Sequence, residues 1–148
     1  MSGIPDARAQ ALALLARREH SREELRRKLT HGGHADTVVD EVLSQLANDH
    51  LQSERRFAEE YLRVRAARGY GPVRIGAELR QRGIDDATIA DALAAVAQDW
   101  PARLAEARRK RFGGALPGDA RERLRQCRFL EYRGFTPVQI RALIGGDA

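Results

Sequence analysis

An all-α chain of tandem three-helix repeats, about nine helices in an elongated, curved rod, is the fold that three features of this 148-residue sequence predict. An octet occurs twice, Arg68-Gly69-Tyr70-Gly71-Pro72-Val73-Arg74-Ile75 and Arg133-Gly134-Phe135-Thr136-Pro137-Val138-Gln139-Ile140. The apolar residues are mostly Ala, Leu and Val, with only 5% aromatic against 43% hydrophobic, which is helical composition. A shift of 50 residues carries Leu79 onto Leu29, Gly83 onto Gly33, Asp86 onto Asp36, Ile89 onto Val39 and Leu93 onto Leu43, so whole helices repeat.

The octet reads as a helix–turn–helix joint. Pro72 or Pro137 sits at the first helical position, where its missing N–H is not needed, and Gly71 or Thr136 before it serves as N-cap. The preceding Arg-Gly closes the upstream helix, because glycine takes the left-handed C′ conformation cheaply and a cation suits the helix C-terminus. Tyr70 and Phe135 then fill the elbow. The same shift finds a degenerate third joint at Arg18–Leu25, where Ser21 and Glu24 form an S-x-x-E capping box and His20 stands in the aromatic position.

Taken in order, the first helix starts near Pro5, turns Ala11, Leu12 and Leu15 inward and ends at Arg18 to Glu19. The second runs from the Ser21 cap through Leu25 and Leu29 to Gly32-Gly33. The third, after Asp36, shows Val39, Val42, Leu43 and Leu46 at the spacing of one buried helical face. A second set repeats this with Phe57, Tyr61 and Val64, then Ile75 and Leu79, then Ile89, Ala92, Leu93 and Val96 after an Asp85-Asp86 cap. Next, Asp99-Trp100-Pro101 opens a helix through Phe112, and residues 113–118 form a glycine- and proline-bearing loop. Asp119 and Glu122 then cap a helix carrying Leu124, Cys127 and Leu130, and the Thr136 helix closes the series. The repeats predicted are residues 1–50, 51–98 and a divergent, basic 99–148.

The net charge of +5 is unevenly spread: residues 100–148 hold 11 Lys and Arg against 5 Asp and Glu, while the first two thirds are balanced. The excess lies in Arg108-Arg109-Lys110-Arg111 and in Arg121, Arg123, Arg125, Arg128 and Arg133; Arg121, Arg125 and Arg128 share one helix face as an uncompensated stripe. The lone Cys127 excludes an internal disulfide and reads as a core filler, and the N-terminal "MSGIPDARAQ" has no apolar signal core, so a cytoplasmic protein is expected. No apolar run reaches membrane-spanning length. His31 and His34 flank a glycine turn and read as surface capping residues rather than a zinc site, which wants four ligands. Without a nucleophile–base pair or a glycine-rich phosphate loop, no enzyme, catalytic residue, metal or cofactor is expected.

Three segments carry a family resemblance: "ALALLARREHSREELRRKL" (11–29), "RRFAEEYLRVRAARGYGPVRIGAELRQRGID" (55–85) and "CRFLEYRGFTPVQIRALI" (127–144). The middle one is the most specific, through Phe57-Ala58, Tyr61, Arg65, Arg68-Gly69-Tyr70-Gly71-Pro72, Ile75 and Glu78-Leu79. The chain resembles the RecX family of bacterial recombination regulators over nearly its whole length. The resemblance implies a non-enzymatic partner of the RecA recombinase. Such a protein binds the RecA filament on single-stranded DNA in its helical groove, suppresses ATP hydrolysis and strand exchange, and hinders filament growth.

Within that reading Arg63, Arg65, Arg68, Tyr70 and Arg74 are the candidate RecA-facing residues. Arg108, Arg109, Lys110, Arg111, Arg121, Arg125, Arg128 and Arg133 are candidates for contact with DNA phosphates or an acidic protein surface, since an arginine fork pairs bidentately with either. Gly69, Gly71 and Pro72 read as turn chemistry, and no dimer seam is evident, so a monomer is expected. The alternative is a helical module acting directly on DNA through its basic last third. Against base reading, the second helices of the first two repeats mix acid with base and lack Asn, Gln, Ser and Thr enrichment. Non-specific phosphate binding stays open, with affinity falling steeply with salt.

Overall fold

The computed structural model describes residues 3–145. Among these, nine α-helices and no strands occur: α1 Ile4–Arg17, α2 Arg22–His31, α3 Asp36–Asn48, α4 Glu54–Ala67, α5 Pro72–Gln81, α6 Asp86–Ala95, α7 Trp100–Phe112, α8 Ala120–Arg133 and α9 Pro137–Ile144. A 3₁₀ turn, Ala97–Asp99, leads into α7.

Helix starts follow the local chemistry. Ser21 Oγ accepts from the Glu24 N–H at 3.0 Å while the Glu24 carboxylate accepts from the Ser21 N–H at 3.1 Å, a closed capping box. Thr136 and Gln139 repeat that arrangement at 3.1 and 2.9 Å. Asp119 accepts from the Glu122 N–H and Asp85 from the Thr88 N–H, both at 2.8 Å. At the other helix ends, Gly69 and Gly134 of the two octets take φ of +93° and +104°, where a Cβ would be strained.

Contacts divide the chain into two compact units, Met1–Glu60 with Leu79–Ile89 and Tyr61–Glu78 with Ala90–Ala148. In the first unit Ala7 and Ala11 of α1, Leu25 and Leu29 of α2, and Val39, Val42, Leu43 and Leu46 of α3 form one buried cluster. Leu12 does not join it and is 37% exposed; the inward stripe of α1 follows Ala7, Ala11 and the half-buried Leu14 and Leu15, which leaves Leu12 a helical step off the face.

In the second unit the Trp100 ring meets Phe135 edge-on, centroids 6.4 Å apart at 78°, among the buried Leu104, Leu130, Ile140 and Ile144. Phe135 thus fills its elbow as predicted. Two other predicted core positions turn out differently: Leu124 is 50% exposed and Cys127 is only half-buried. The inward face of α8 instead runs through Gln126 and Leu130 at i, i+4, and Gln126 is admitted because its amide oxygen is hydrogen-bonded. On α4 the buried stripe is Ala58, Leu62 and Ala66 beside Phe57, with Tyr61 and Val64 half-buried at its margin. Leu93 and Val96 are likewise half-buried.

The two octets are in direct contact within the second unit. The Gly71 N–H donates to Arg133 O at 2.8 Å and the Val73 N–H to Gly134 O at 2.9 Å. A Cβ on Gly71 would lie 2.5 Å from Gly134 C and 2.6 Å from Phe135 N, and one on Gly134 would run into Arg74 Cβ. Gly71, expected to act only in its own turn, is therefore required by the close approach of another backbone. The repeated octets are each other's packing partner.

Candidate functional site

The clasp between the octets puts Tyr70 under three guanidiniums. Arg65 Cζ stands 3.9 Å from the Tyr70 ring centroid, Arg74 Cζ 4.5 Å and Arg133 Cζ 4.8 Å. Tyr70 is half-buried and acts as a platform for cations rather than only as the plug of its elbow.

Glu78 supplies the countercharge. Arg65 Nε and Nη2 each donate to it at 2.9 Å, the Tyr61 hydroxyl donates at 2.8 Å and Arg74 Nε at 3.2 Å. Partial burial pushes the Glu78 pKa up, but the bonds from Arg65, Tyr61 and Arg74 outweigh it and hold the carboxyl below its usual range. The same pair raises the pKa of Arg65. Among the sequence-predicted residues, Arg65, Tyr70 and Arg74 therefore form one network. Arg63 and Arg68 are exposed on or just beyond the same helix.

Beside this network lies an open cleft of about 190 Å³. Arg68, Arg103, Lys110, Arg111 and Arg133 line it with a single carboxylate, Glu106, over an apolar lining that includes Ala107 and Phe129. Arg109 and Lys110 lie at 2.7 and 3.8 Å from Glu106. Arg103 escaped the sequence reading because it stands outside the Arg108–Arg111 run; its spacing to Ala107, Lys110 and Arg111 on α7 was the available signal.

Arg108 does not belong to this surface. It is 5% exposed, and its guanidinium donates to the carbonyls of Gly113, Gly114 and Ala115 and to Gln126 Oε1 at 3.0–3.2 Å. A fork buried against four acceptors ties down the 113–118 loop, so the predicted anion contact at Arg108 is withdrawn. The stripe on α8 is also less bare than the sequence suggests. Arg121, Arg125 and Arg128 do share a face, but Arg125 grips Glu122 with two bonds of 2.8 and 3.0 Å, and Arg125 with Gln126 holds the Glu122 pKa down to about 2.

Of the histidines, His31 is exposed, whereas His34 is buried at 8% with Nε2 2.7 Å from Gln10 Oε1, so it is an interior residue and not a surface cap. No group of three or more potential metal ligands converges among the described residues.

The fold and this surface define an all-α protein of tandem three-helix domains with a guanidinium-rich face that carries aromatic rings. Residues 7–46 match the family model described as RecX, first three-helix domain, and residues 53–93 that described as RecX, second three-helix domain. Regulatory protein RecX of Halorhodospira halophila is 51% identical over 135 residues, 91% of this chain and 84% of that protein. The protein of that name from Pseudomonas entomophila is 46% identical over 150 residues, 99% and 97% of the two chains. In fold, the chain is similar to the crystal structure of RecX from Lactobacillus salivarius, with TM-score 0.78, 24% identity and coverage of 95% and 94%. A second crystal structure of regulatory protein RecX gives TM-score 0.72 at 24% identity, covering 95% of this chain and 73% of that one. The chain belongs to the RecX family of regulatory proteins.

Proposed function

We propose that this protein regulates the RecA recombinase without a catalytic centre of its own. It acts in the cytoplasm as a monomer, binds the groove of the RecA filament on single-stranded DNA, and suppresses ATP hydrolysis, strand exchange and filament extension. Family membership across the chain carries the reading, because both three-helix domains and the octet network between residues 65 and 78 fall within the matched span. Arg63, Arg65, Arg68, Tyr70 and Arg74 form the face turned toward RecA. The Tyr70 and Glu78 network supports this role by fixing arginines that would otherwise lose side-chain entropy on binding. Arg109, Lys110, Arg111, Arg121, Arg125, Arg128 and Arg133 face anionic groups of the filament.

The test is steady-state ATP hydrolysis by RecA preassembled on single-stranded DNA, with this protein titrated far below the RecA concentration. Loss of hydrolysis at such ratios supports a block to filament growth over competition for DNA. Undiminished hydrolysis in the presence of folded, helical protein overturns the assignment. Replacing Arg121, Arg125 and Arg128 by alanine weakens inhibition in a salt-dependent way; unchanged inhibition across a range of salt removes the charged face from the mechanism.

A further inference from the structure

Of the 26 Lys and Arg residues only Lys28 and Lys110 are lysine, and their surroundings differ. Lys110 Nζ lies 3.8 Å from the Glu106 carboxylate. Lys28 is exposed on the last turn of α2 and, among the described residues, has no carboxylate within ion-pairing distance. Its Nζ stands instead 2.9 Å from Nε2 of the buried His20.

The other ring nitrogen sets the tautomer of His20. Nδ1 is 3.0 Å from Arg18 O, and a carbonyl only accepts, so Nδ1 carries the ring proton and Nε2 presents a bare lone pair to Lys28. The His20 carbonyl is itself held by Gln52 Nε2 at 3.3 Å, and Gln52 Nε2 also donates to Glu54 Oε1 at 2.8 Å. An amine, an imidazole within hydrogen-bond reach and a fixed group orienting that imidazole are the parts of an activated nucleophile. The sequence reading found no such pair because His20 lies outside α2, eight positions before Lys28.

Burial chiefly, with the charges of Arg18 and Lys28 besides, lowers the pKa of His20 against the opposing pull of the Arg18 carbonyl and Glu24, so Nε2 stays unprotonated at neutral pH. Glu24 is the one carboxylate facing the pair and is already engaged by Arg18 at 3.1 Å and by Arg82 at 4.0 Å. Three cations around one carboxylate leave a positive field that draws an anionic reagent to the exposed amine.

We infer that Lys28 is a site of self-acylation by acyl phosphates, with His20 as its general base. Such a reagent joins a phosphate dianion, which the local field attracts, to a carbonyl carbon open to an amine. Lys28 Nζ gives one proton to solvent and attacks that carbon, forming an N–C bond. The nitrogen of the tetrahedral adduct is far more acidic than a free ammonium, and His20 Nε2 takes its second proton. The C–O bond to phosphate breaks, His20 passes the proton to the departing phosphate, and an amide and hydrogen phosphate remain. Nothing is oxidised or reduced. The acylated Lys28 has lost its charge and keeps a single N–H for the His20 lone pair. Each chain reacts once, so this is a modification of the protein and not an enzyme activity. It holds or fails without reference to RecA.

The test is incubation of the full chain with acetyl phosphate, followed by peptide mass spectrometry of acetylation at Lys28 and Lys110 over time. Lys110 is the reference within the same molecule. The expected ratio of initial rates favours Lys28 by at least about tenfold, short of the roughly hundredfold that general-base catalysis brings in active sites. Amine ionisation affects both lysines, so the ratio stays level down to the ordinary imidazole value of about 6.5 and falls only below it, as His20 takes a proton. His20→Gln, whose amide oxygen still accepts from Lys28 but takes no proton, brings the ratio close to unity without changing the rate at Lys110. Circular dichroism checks the fold of the variant, and the pH profile of the unaltered chain reads the same base without any substitution.

Three outcomes overturn the inference: equal rates at the two lysines, a ratio that His20→Gln leaves unchanged in the folded protein, or a ratio that does not fall as pH drops below the imidazole range.

Discussion

Adding one methyl group at Gly71 separates the two octets. The Cβ of Gly71→Ala would sit 2.5 Å from Gly134 C, 2.6 Å from Gly134 O and 2.6 Å from Phe135 N, all backbone atoms that no rotamer change can move. Relief requires α5 and the 133–135 turn to part, which lengthens the hydrogen bonds now at 2.8 Å and 2.9 Å. Overpacking of this kind costs about 1–3 kcal/mol, and each weakened bond up to about 1 kcal/mol, so a total of roughly 2–4 kcal/mol is expected. At about 2–4 °C per kcal/mol for a chain of this size, the midpoint of thermal unfolding drops by roughly 5–15 °C. Gly118→Ala is the matched control: a Cβ there meets nothing within 4 Å, and its effect stays within about 0.5 kcal/mol. Circular dichroism at 222 nm, a wavelength that follows helix content, reads both variants. Equal melting of Gly71→Ala and the unaltered protein would refute the claim that backbone proximity selects glycine here.

Three further outcomes follow from the polar interior. Glu78→Gln removes the countercharge of Arg65 and Arg74 and costs about 1.5–3 kcal/mol in urea denaturation at neutral pH. Because the folded pKa of Glu78 is depressed, its contribution is full above the usual carboxylate range and is lost as pH falls through the folded value; an acid limb unchanged by the substitution would contradict this. His20 is 1% exposed, with Nε2 2.9 Å from Lys28 Nζ and Nδ1 3.0 Å from Arg18 O, so Lys28 donates to one nitrogen and the other donates to the carbonyl. Burial chiefly lowers its pKa, so stability declines as pH falls below the ordinary imidazole value of about 6.5, and His20→Gln flattens that decline; a slope the variant leaves intact assigns it to other groups. Arg108→Lys gives up a planar fork that serves four acceptors, which speeds amide hydrogen exchange in residues 113–118 and costs about 1–3 kcal/mol; unaltered exchange would show that the loop holds itself.

Much of the fold was legible in the sequence because it is written locally. Capping boxes at Ser21 and Thr136 and the glycine ends of α4 and α8 depend on residues within one turn, and apolar spacing marks the α3 face without reference to any partner. Leu12 and Leu124 misled because an apolar side chain one step off the stripe reads like one on it, and Gln126 went unseen because its burial depends on Arg108, eighteen positions away. The candidate surface was legible as composition and not as geometry. The sequence shows that arginines crowd the last third; it does not show that Arg108 turns inward or that Arg103 completes a cleft with Arg68. The Glu122 pair of Arg125 is local, three positions away on α8, and was legible there; the burial of Arg108 and the cleft of Arg103 with Arg68 depend on which segments meet, and nothing within a turn of each residue records it.

The clasp also bears on the order in which the protein is made. Gly71 and Val73 are synthesised long before the carbonyls of Arg133 and Gly134 that accept their N–H groups. While the ribosome is still translating α7 and α8, the joint between α4 and α5 has its turn but not its partner, and Tyr70 lacks the guanidinium of Arg133. A nascent chain stalled ahead of residue 133 should therefore leave that joint open to protease, and release of α9 should close it. The first unit buries its α1–α3 core from residues that emerge together, so it is under no such delay.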